Sequence, residues 1–232
     1  MSIVKTIIPI SPETPGLALW NTKIVALAGA DLYAWYKHEE TSGTVATDSS
    51  GNGRNANYSG MLLNQTGAFT GSKAVNMNNA GVTNAFAFPM TGALAQASAT
   101  TFGFWMACYL DPGASTFTFF NWGSSAPNQL VVSWNKTSGV NASWGGVTIS
   151  GPSSGLASGS SPITWHFVVF VTNPSGNIKL YVNGVLVAQA TGSVMPLGTF
   201  TGFIRRYQLD ESFIITKELT ATEIADLYAT RA

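Results

Sequence analysis

Two pairs of neighbouring carboxylates and two histidines are the residues of this sequence best suited to acid–base chemistry. Glycoside hydrolysis needs two carboxyl groups that flank the scissile bond. Asp210–Glu211 and Glu39–Glu40 are adjacent in sequence, so in a strand the members of each pair should point to opposite faces. His166 lies in an apolar segment, which favours a hydrogen-bonded core histidine over a catalytic one. The sequence therefore predicts a protein that is not an enzyme.

Sugar recognition is a second chemistry that the sequence could support, since it uses aromatic platforms beside amide and hydroxyl groups. Tryptophans and amides are concentrated in the Gly-, Ser- and Asn-rich middle of the chain. The predicted ligand-binding residues are Trp122, Asn128, Trp134, Asn135 and Trp144. The alternative is that these tryptophans belong to the core, where large aromatic side chains are common.

Strands are the elements expected to position these residues. From about residue 31, short apolar segments alternate with turn signals, and residues 102–110 alternate with a period of two. Residues 165–172 are apolar on both faces, which indicates a central strand buried between layers. Asn183–Gly184 predicts a hairpin turn, and Thr220 with Glu223 predicts a capping box. The pattern predicts an all-β fold, a β-sandwich or jelly roll with one short C-terminal helix.

The first thirty residues differ from the rest of the chain. A β-prone segment, Ile3–Ile10, is followed by the helix- and strand-breaking run Ser11–Gly16. We expect residues 1–30 to form an N-terminal arm and residues 31–232 to form the sandwich domain. The arm either docks on neighbouring subunits or adds an edge strand to its own sandwich.

The composition limits the partners that can be expected. Only 9% of the 232 residues are charged, and eleven basic residues balance eleven acidic ones, whereas ordinary domains contain about 25% charged residues. No basic field attracts phosphate, so nucleic acid is not an expected partner. Weak repulsion between such surfaces favours a homo-oligomer or a larger assembly over a low-charge monomer. Cys108 is the single cysteine, so no disulfide forms within the chain.

Targeting signals are not evident. The first residues lack the basic region, apolar core and cleavage site of a secretory signal. No apolar stretch approaches the roughly 20 residues that span a bilayer. We therefore expect no membrane insertion.

Four segments share motifs with a known family, and they occur in that family's order. They are the Asp48-Ser-Ser-Gly-Asn-Gly turn, Thr101-Phe-Gly-Phe-Trp-Met-Ala, the pair Trp165-His-Phe-Val-Val and Lys179-Leu-Tyr-Val-Asn-Gly, and the ending from Leu209-Asp-Glu to Leu227-Tyr. Together they resemble the laminin G-like domains of the concanavalin A-like lectin/glucanase superfamily. The resemblance implies a jelly roll of two stacked antiparallel sheets. Members include lectin domains, adhesion modules, glycosidase appendages and parts of bacteriophage particles. The Glu-x-Asp-x-x-Glu signature of the glucanases is absent here.

Calcium is the one cofactor that the resemblance suggests, because relatives often hold it near the opening turn. The oxygen ligands available for such a structural ion are Asp48, Asn52 and Asp210. The alternative is that Asp48 makes an Asx-turn and that Asp210 or Glu211 pairs with Arg205 or Arg206.

The function expected from these observations is structural and binding. We expect a virion component, such as a phage capsid decoration, head fibre or tail protein, that is made in the host cytoplasm and binds host glycans through its sandwich. The alternative is a freestanding bacterial carbohydrate-binding or adhesion module that acts outside the cell.

Overall fold

The structure is a computed structural model that describes residues 15–76, 85–91, 98–108, 116–122, 130–135, 139–144, 147–150, 164–191, 199–204 and 207–231. Its helices are α1 (Pro15–Ala28) and α2 (Ala221–Tyr228). Its strands are β1 (Leu32–Tyr36), β2 (Val45–Ala46), β3 (Ala56–Ser59), β4 (Leu62–Thr66), β5 (Lys73–Asn76), β6 (Ala85–Thr91), β7 (Thr100–Cys108), β8 (Thr116–Trp122), β9 (Leu130–Asn135), β10 (Gly139–Trp144), β11 (Val147–Ser150), β12 (Trp165–Thr172), β13 (Asn177–Val182), β14 (Val185–Thr191), β15 (Thr199–Ile204) and β16 (Tyr207–Ile215).

The strands form two eight-stranded sheets. The first sheet has the order β14-β13-β12-β7-β16-β5-β4, with β1 also paired to β16, and the second has the order β11-β10-β9-β8-β15-β6-β3-β2. Strand pairing is antiparallel in both sheets. The predicted two-sheet antiparallel β-sandwich is therefore confirmed.

The main core lies between the two sheets. From the first sheet it contains Phe102, Phe104 and Met106 of β7, and from the second it contains Phe86 and Val132. The period-two pattern of β7 explains this arrangement, because alternate side chains of a strand face the same layer. The intervening residues of β7 face the opposite way.

A second core covers the outer face of the first sheet, where α1 and α2 pack. Trp105 and Ala107 of β7 meet Trp20 and Ile24 of α1 and Leu227 of α2 there. The first sheet is therefore buried on both faces. All eight residues of β12 are buried, as the apolar run at 165–172 predicts.

Helix α1 is a departure from the sequence analysis, which predicts only one helix. It forms the second half of the segment expected to be an arm, and it packs on the chain's own sheet through Leu17, Trp20, Ile24 and Ala28. The β-prone segment Ile3–Ile10 lies outside the described residues. Its docking on neighbours remains a prediction.

The C-terminal helix and the hairpin are confirmed. Thr220 Oγ1 accepts from the backbone N–H of Glu223, and the Glu223 carboxylate accepts from the backbone N–H of Thr220. Asn183 and Gly184 have φ values of 52° and 79°, as the hairpin turn between β13 and β14 requires. A Cβ on Gly184 would lie 3.1 Å from Ala225 Cα, so glycine also allows α2 to pack on the turn.

Candidate functional site

A β-bulge in β16 organises the polar interior of this protein. Asp210 pairs with Trp105 and Phe213 pairs with Gly103, so two residues of β16 lie opposite one residue of β7. Glu211 has φ 49°, the left-handed conformation that such bulges use. The bulge breaks strict alternation, so Asp210 and Glu211 both reach the helix-covered side of the sheet. The expectation that they point to opposite faces is therefore wrong.

Glu211 is bound by two tryptophans. Its Oε2 atom accepts from Trp20 Nε1 of α1 at 2.9 Å and from Trp35 Nε1 of β1 at 2.6 Å. Burial and the neighbouring Asp210 carboxyl raise the pKa of Glu211 well above its ordinary value, against the effect of the two indole donors. This carboxyl group joins α1, β1 and β16 inside the fold.

Asp210 is bound by the turn between β4 and β5. Its Oδ2 atom accepts from the backbone N–H of Ala68 at 2.7 Å and from Ser72 Oγ at 2.8 Å. Burial raises the pKa of Asp210, although these hydrogen bonds oppose the shift. Both carboxyl groups are 0% exposed, and two like charges so close together disfavour joint ionisation.

A chain of side-chain hydrogen bonds continues from the bulge to the surface. Ser212 Oγ contacts His38 Nε2 at 2.9 Å, His38 Nδ1 contacts Tyr58 Oη at 2.9 Å, and Tyr58 Oη donates to Glu40 Oε2 at 2.8 Å. Burial lowers the pKa of His38 to about 3, so its imidazole is neutral. The Tyr58 hydroxyl donates its hydrogen to Glu40, so it can only accept from His38. The hydrogen of the His38 ring is therefore on Nδ1, and Nε2 accepts from the Ser212 hydroxyl.

An open cleft lies at the surface end of this chain. It has a volume of about 290 Å³ and is lined by Lys37, Glu39, Glu40, Thr47 and Ser49. The two carboxylates are held by the backbone, since Glu40 accepts from Thr47 N–H at 2.7 Å and Glu39 accepts from Lys73 N–H at 3.0 Å. The cleft presents fixed hydrogen-bond acceptors beside one ammonium group. The sequence does not predict the hydrogen-bond network that leads to this cleft, because the residues of the network share no local motif.

The Asp48 turn, a predicted calcium ligand, is built around backbone donors. Asp48 Oδ1 accepts from the N–H groups of Trp35 and Ser50, and Oδ2 accepts from Arg54 N–H. Burial opposes ionisation of Asp48, but these hydrogen bonds prevail and lower its pKa. The Asx-turn offered as the alternative is present. Asn52 Nδ2 donates to the carbonyl of Leu32 at 2.7 Å and so fixes the turn to the start of β1.

The structure brings Asp48 and Asn52 into one turn, whereas Asp210 binds the turn between β4 and β5. Among the described residues, no group of three or more His, Cys, Asp or Glu is arranged to hold a metal ion. Asn52 is outside that set of residue types, and calcium binding by Asp48, Asn52 and Asp210 remains a prediction.

Four of the five predicted sugar-binding residues lie on three adjacent strands of the second sheet. Trp122 ends β8, Trp134 and Asn135 end β9, and Trp144 ends β10. Trp122 pairs with Leu130 at one end of β9, whereas Trp134 pairs with Phe117 and Val140 near the other end. Asn128 and the side chains of the other four lie outside the described residues. Their role in ligand binding remains a prediction.

His166 is a core residue, as its apolar segment indicates. It is buried in β12 and its Nδ1 atom lies 3.2 Å from Asn183 Nδ2. Burial, together with the nearby Arg231 guanidinium, lowers its pKa to about 4. The neutral ring helps to fix the hairpin turn that follows β13.

Comparison with known proteins identifies the family. The family model described as concanavalin A-like lectin/glucanases superfamily, of laminin G type, matches residues 78–225. The chain belongs to this superfamily. The match covers the bulge of β16, most of α2 and the strands that carry the three tryptophans of the predicted sugar site. A search of curated proteins finds no match.

Solved structures share the fold at low sequence identity. The sialidase of Trypanosoma rangeli is 17% identical with a TM-score of 0.62, over 92% of this chain and 37% of the sialidase. The binding domain of botulinum neurotoxin DC, solved in complex with rat synaptotagmin II, is 13% identical with a TM-score of 0.63, over 88% of this chain and 52% of that chain. The binding domain of botulinum neurotoxin serotype D/C VPI 5993 is 15% identical with a TM-score of 0.65, over 88% and 53%.

This chain thus spans about half or less of the length of these solved relatives. At these identities the likeness establishes the fold. In the part of the chain that the structure describes, neither helix is long and apolar enough to cross a membrane.

Proposed function

We propose that this chain is a non-catalytic binding module that works inside a larger assembly, such as a bacteriophage virion, and recognises cell-surface glycans. The observation that carries the proposal is the commitment of Asp210 and Glu211 to the interior. Both are 0% exposed, and both accept hydrogen bonds from groups of their own fold. A glycosidase needs its two carboxyl groups beside the substrate.

The carboxylates at the cleft are also engaged with the protein. Glu40 accepts from Thr47 N–H and from the Tyr58 hydroxyl, and Glu39 accepts from Lys73 N–H. Such fixed acceptors are suited to binding hydroxyl groups without breaking bonds. They form a polar surface near β2, which β15, β6 and β3 separate from the tryptophan-bearing strands β8, β9 and β10 in the second sheet.

Two further observations support binding and assembly. The superfamily takes its name partly from lectins, and two solved relatives are described as binding domains of a neurotoxin. The low charge content of the chain, 9% of its residues, permits close packing against neighbouring subunits because repulsion is weak.

A glycan array tests the binding role. We expect the full-length chain to bind a subset of surface glycans, and we expect Trp134→Ala or Trp144→Ala to weaken that binding by about tenfold, the loss of roughly 1.4 kcal/mol of contact. Ser133→Ala and Ser143→Ala are matched controls, because they change the preceding residue of the same strands. Both serines are only half-buried, so their substitution should leave affinity unchanged.

The free energy of unfolding must be measured beside affinity, because Trp134 is two residues after Val132 in β9, and Val132 is buried in the core. Urea unfolding of each variant separates a folding defect from a binding defect. An array with no bound glycan, or tryptophan variants that unfold without any change in affinity per folded molecule, would refute glycan recognition. A chain that binds glycans but remains monomeric without partners would instead favour the freestanding module.

A further inference from the structure

Strand β14 is an edge of the first sheet with an unusual surface. Among the described strands it pairs only with β13, and it contains no charged residue. Val185 is 64% exposed and Leu186 is 40% exposed. Edge strands of monomeric proteins are commonly protected by charged residues, by proline or by a covering segment. An apolar, uncharged edge of this kind is a surface for an additional strand.

The start of α1 and the beginning of β14 both lie near the end of α2. A Cβ on Gly16, the second residue of α1, would lie 3.1 Å from the Thr230 carbonyl oxygen, just after α2. On the other side, a Cβ on Gly184 would lie 3.2 Å from Tyr228 Cβ, at the end of α2. The end of α2 and the residues just after it therefore contact both the start of α1 and the turn that opens β14.

We propose that residues 3–8 of this chain add to the free edge of β14 as an antiparallel strand in the same copy. The segment is Ile-Val-Lys-Thr-Ile-Ile, whose β-branched residues favour a strand. Residues 9–14 can span roughly 20 Å between it and α1. Because β14 runs away from the start of α1, a segment that leads into α1 lies antiparallel to β14, which is the slightly more stable pairing direction. Its side chains cover Val185 and Leu186.

The opposite edge of the first sheet, β4, is the competing position. It also lacks charged residues, and Leu62 is 51% exposed. The Gly67–Ser72 turn after β4 approaches α1, since a Cβ on Gly16 would lie 3.8 Å from Phe69. A segment that leads into α1 would run parallel to β4 there. Parallel pairing is slightly less stable per residue, and β4 exposes one large apolar side chain whereas β14 exposes two. Strand β14 is therefore favoured, and Leu62 supplies a matched control.

Hydrogen exchange measured by mass spectrometry tests the proposal on the full chain and on a chain lacking residues 1–10. In the full chain, amides of residues 3–8 should exchange at least about tenfold more slowly than in a free peptide, because strand hydrogen bonds protect them. Amides of β14 should exchange about tenfold faster after the deletion. Leu186→Lys should abolish the protection of residues 3–8, whereas Leu62→Lys should leave it intact. Circular dichroism checks that both variants are folded.

Three outcomes would overturn the proposal. Free-peptide exchange rates at residues 3–8 would show that the segment adds to no edge. Loss of protection in Leu62→Lys but not in Leu186→Lys would place it on β4. A full-length dimer that becomes a monomer after the deletion, measured by sedimentation, would place the strand on a neighbouring copy. The expected result is protection of residues 3–8 that does not depend on the protein concentration, because the strand adds within one copy.

Discussion

Replacing Trp20 of α1 tests whether the helix and the buried carboxyl group stabilise each other. Trp20 is 0% exposed, and its ring packs against those of Phe69, Trp105, Phe167 and Phe213. Truncating such a side chain costs about 3–5 kcal/mol. We therefore expect Trp20→Ala to lower the free energy of unfolding by about 3–5 kcal/mol, a large share of the stability of a domain.

A conservative variant isolates the hydrogen bond. Trp20→Phe keeps an aromatic ring but removes the N–H that donates to Glu211 at 2.9 Å, while the donor from Trp35 remains. The expected loss is about 1–3 kcal/mol, because hydrogen bonds to charged or buried acceptors are worth that much. Because this loss arises from the Glu211 acceptor, combining Trp20→Phe with Glu211→Leu, which has no acceptor, should cost less than the sum of the two single changes.

Urea unfolding followed by circular dichroism measures these differences, with Leu19→Ala as the control. Leu19 is on the same helix and 47% exposed, so its truncation should change stability by no more than about 0.5 kcal/mol. A Trp20→Ala variant as stable as Leu19→Ala would refute the packing of α1 on the sheet. Strict additivity of Trp20→Phe and Glu211→Leu would refute the hydrogen bond between Trp20 and Glu211.

Three other predictions concern the core and its titratable groups. Burial raises the pKa of Asp210 from 3.8 to about 8, so between these pH values the folded protein retains a proton that the unfolded chain releases. The free energy of unfolding should therefore fall as the pH rises from about 4 to about 8, and Asp210→Asn should flatten that slope in urea titrations. Burial lowers the pKa of His38 to about 3, which has the opposite effect on stability. Below about pH 6.5 the unfolded chain binds a proton that the folded protein excludes, so wild-type stability falls as the pH falls. The free energy of unfolding at pH 3–4 should therefore be higher in a folded His38→Gln variant than in wild type. Gly103→Ala would place a methyl carbon 2.3 Å from the Phe213 ring and should cost about 1–3 kcal/mol; an unchanged melting temperature would contradict that contact.

The regular parts of the fold follow from local patterns. The alternation in β7, the apolar run of β12, the Asn183–Gly184 turn and the Thr220 cap each depend on neighbouring residues. All four are found as predicted. Local rules predict such features because backbone conformation and capping involve contacts within a few residues.

Helix α1 and the bulge of β16 depend on distant contacts instead. The exposed Leu19 and Val25 blur the apolar stripe of α1, and Trp20 finds its partner Glu211 at a separation of 191 residues. The positive φ of Glu211 occurs at a residue other than glycine, so no local signal marks the bulge. The sequence therefore predicts the sandwich but misses the arrangement that buries its carboxylate pair.

The most direct test of the proposed function is to incubate the full-length chain with the glycans that it binds on an array and to analyse those glycans by mass spectrometry. If Asp210 and Glu211 only stabilise the fold, every bound glycan should be recovered intact at pH 4–9, even after prolonged incubation. Cleaved glycan that disappears in a folded Asp210→Asn or Glu39→Gln variant would contradict the account.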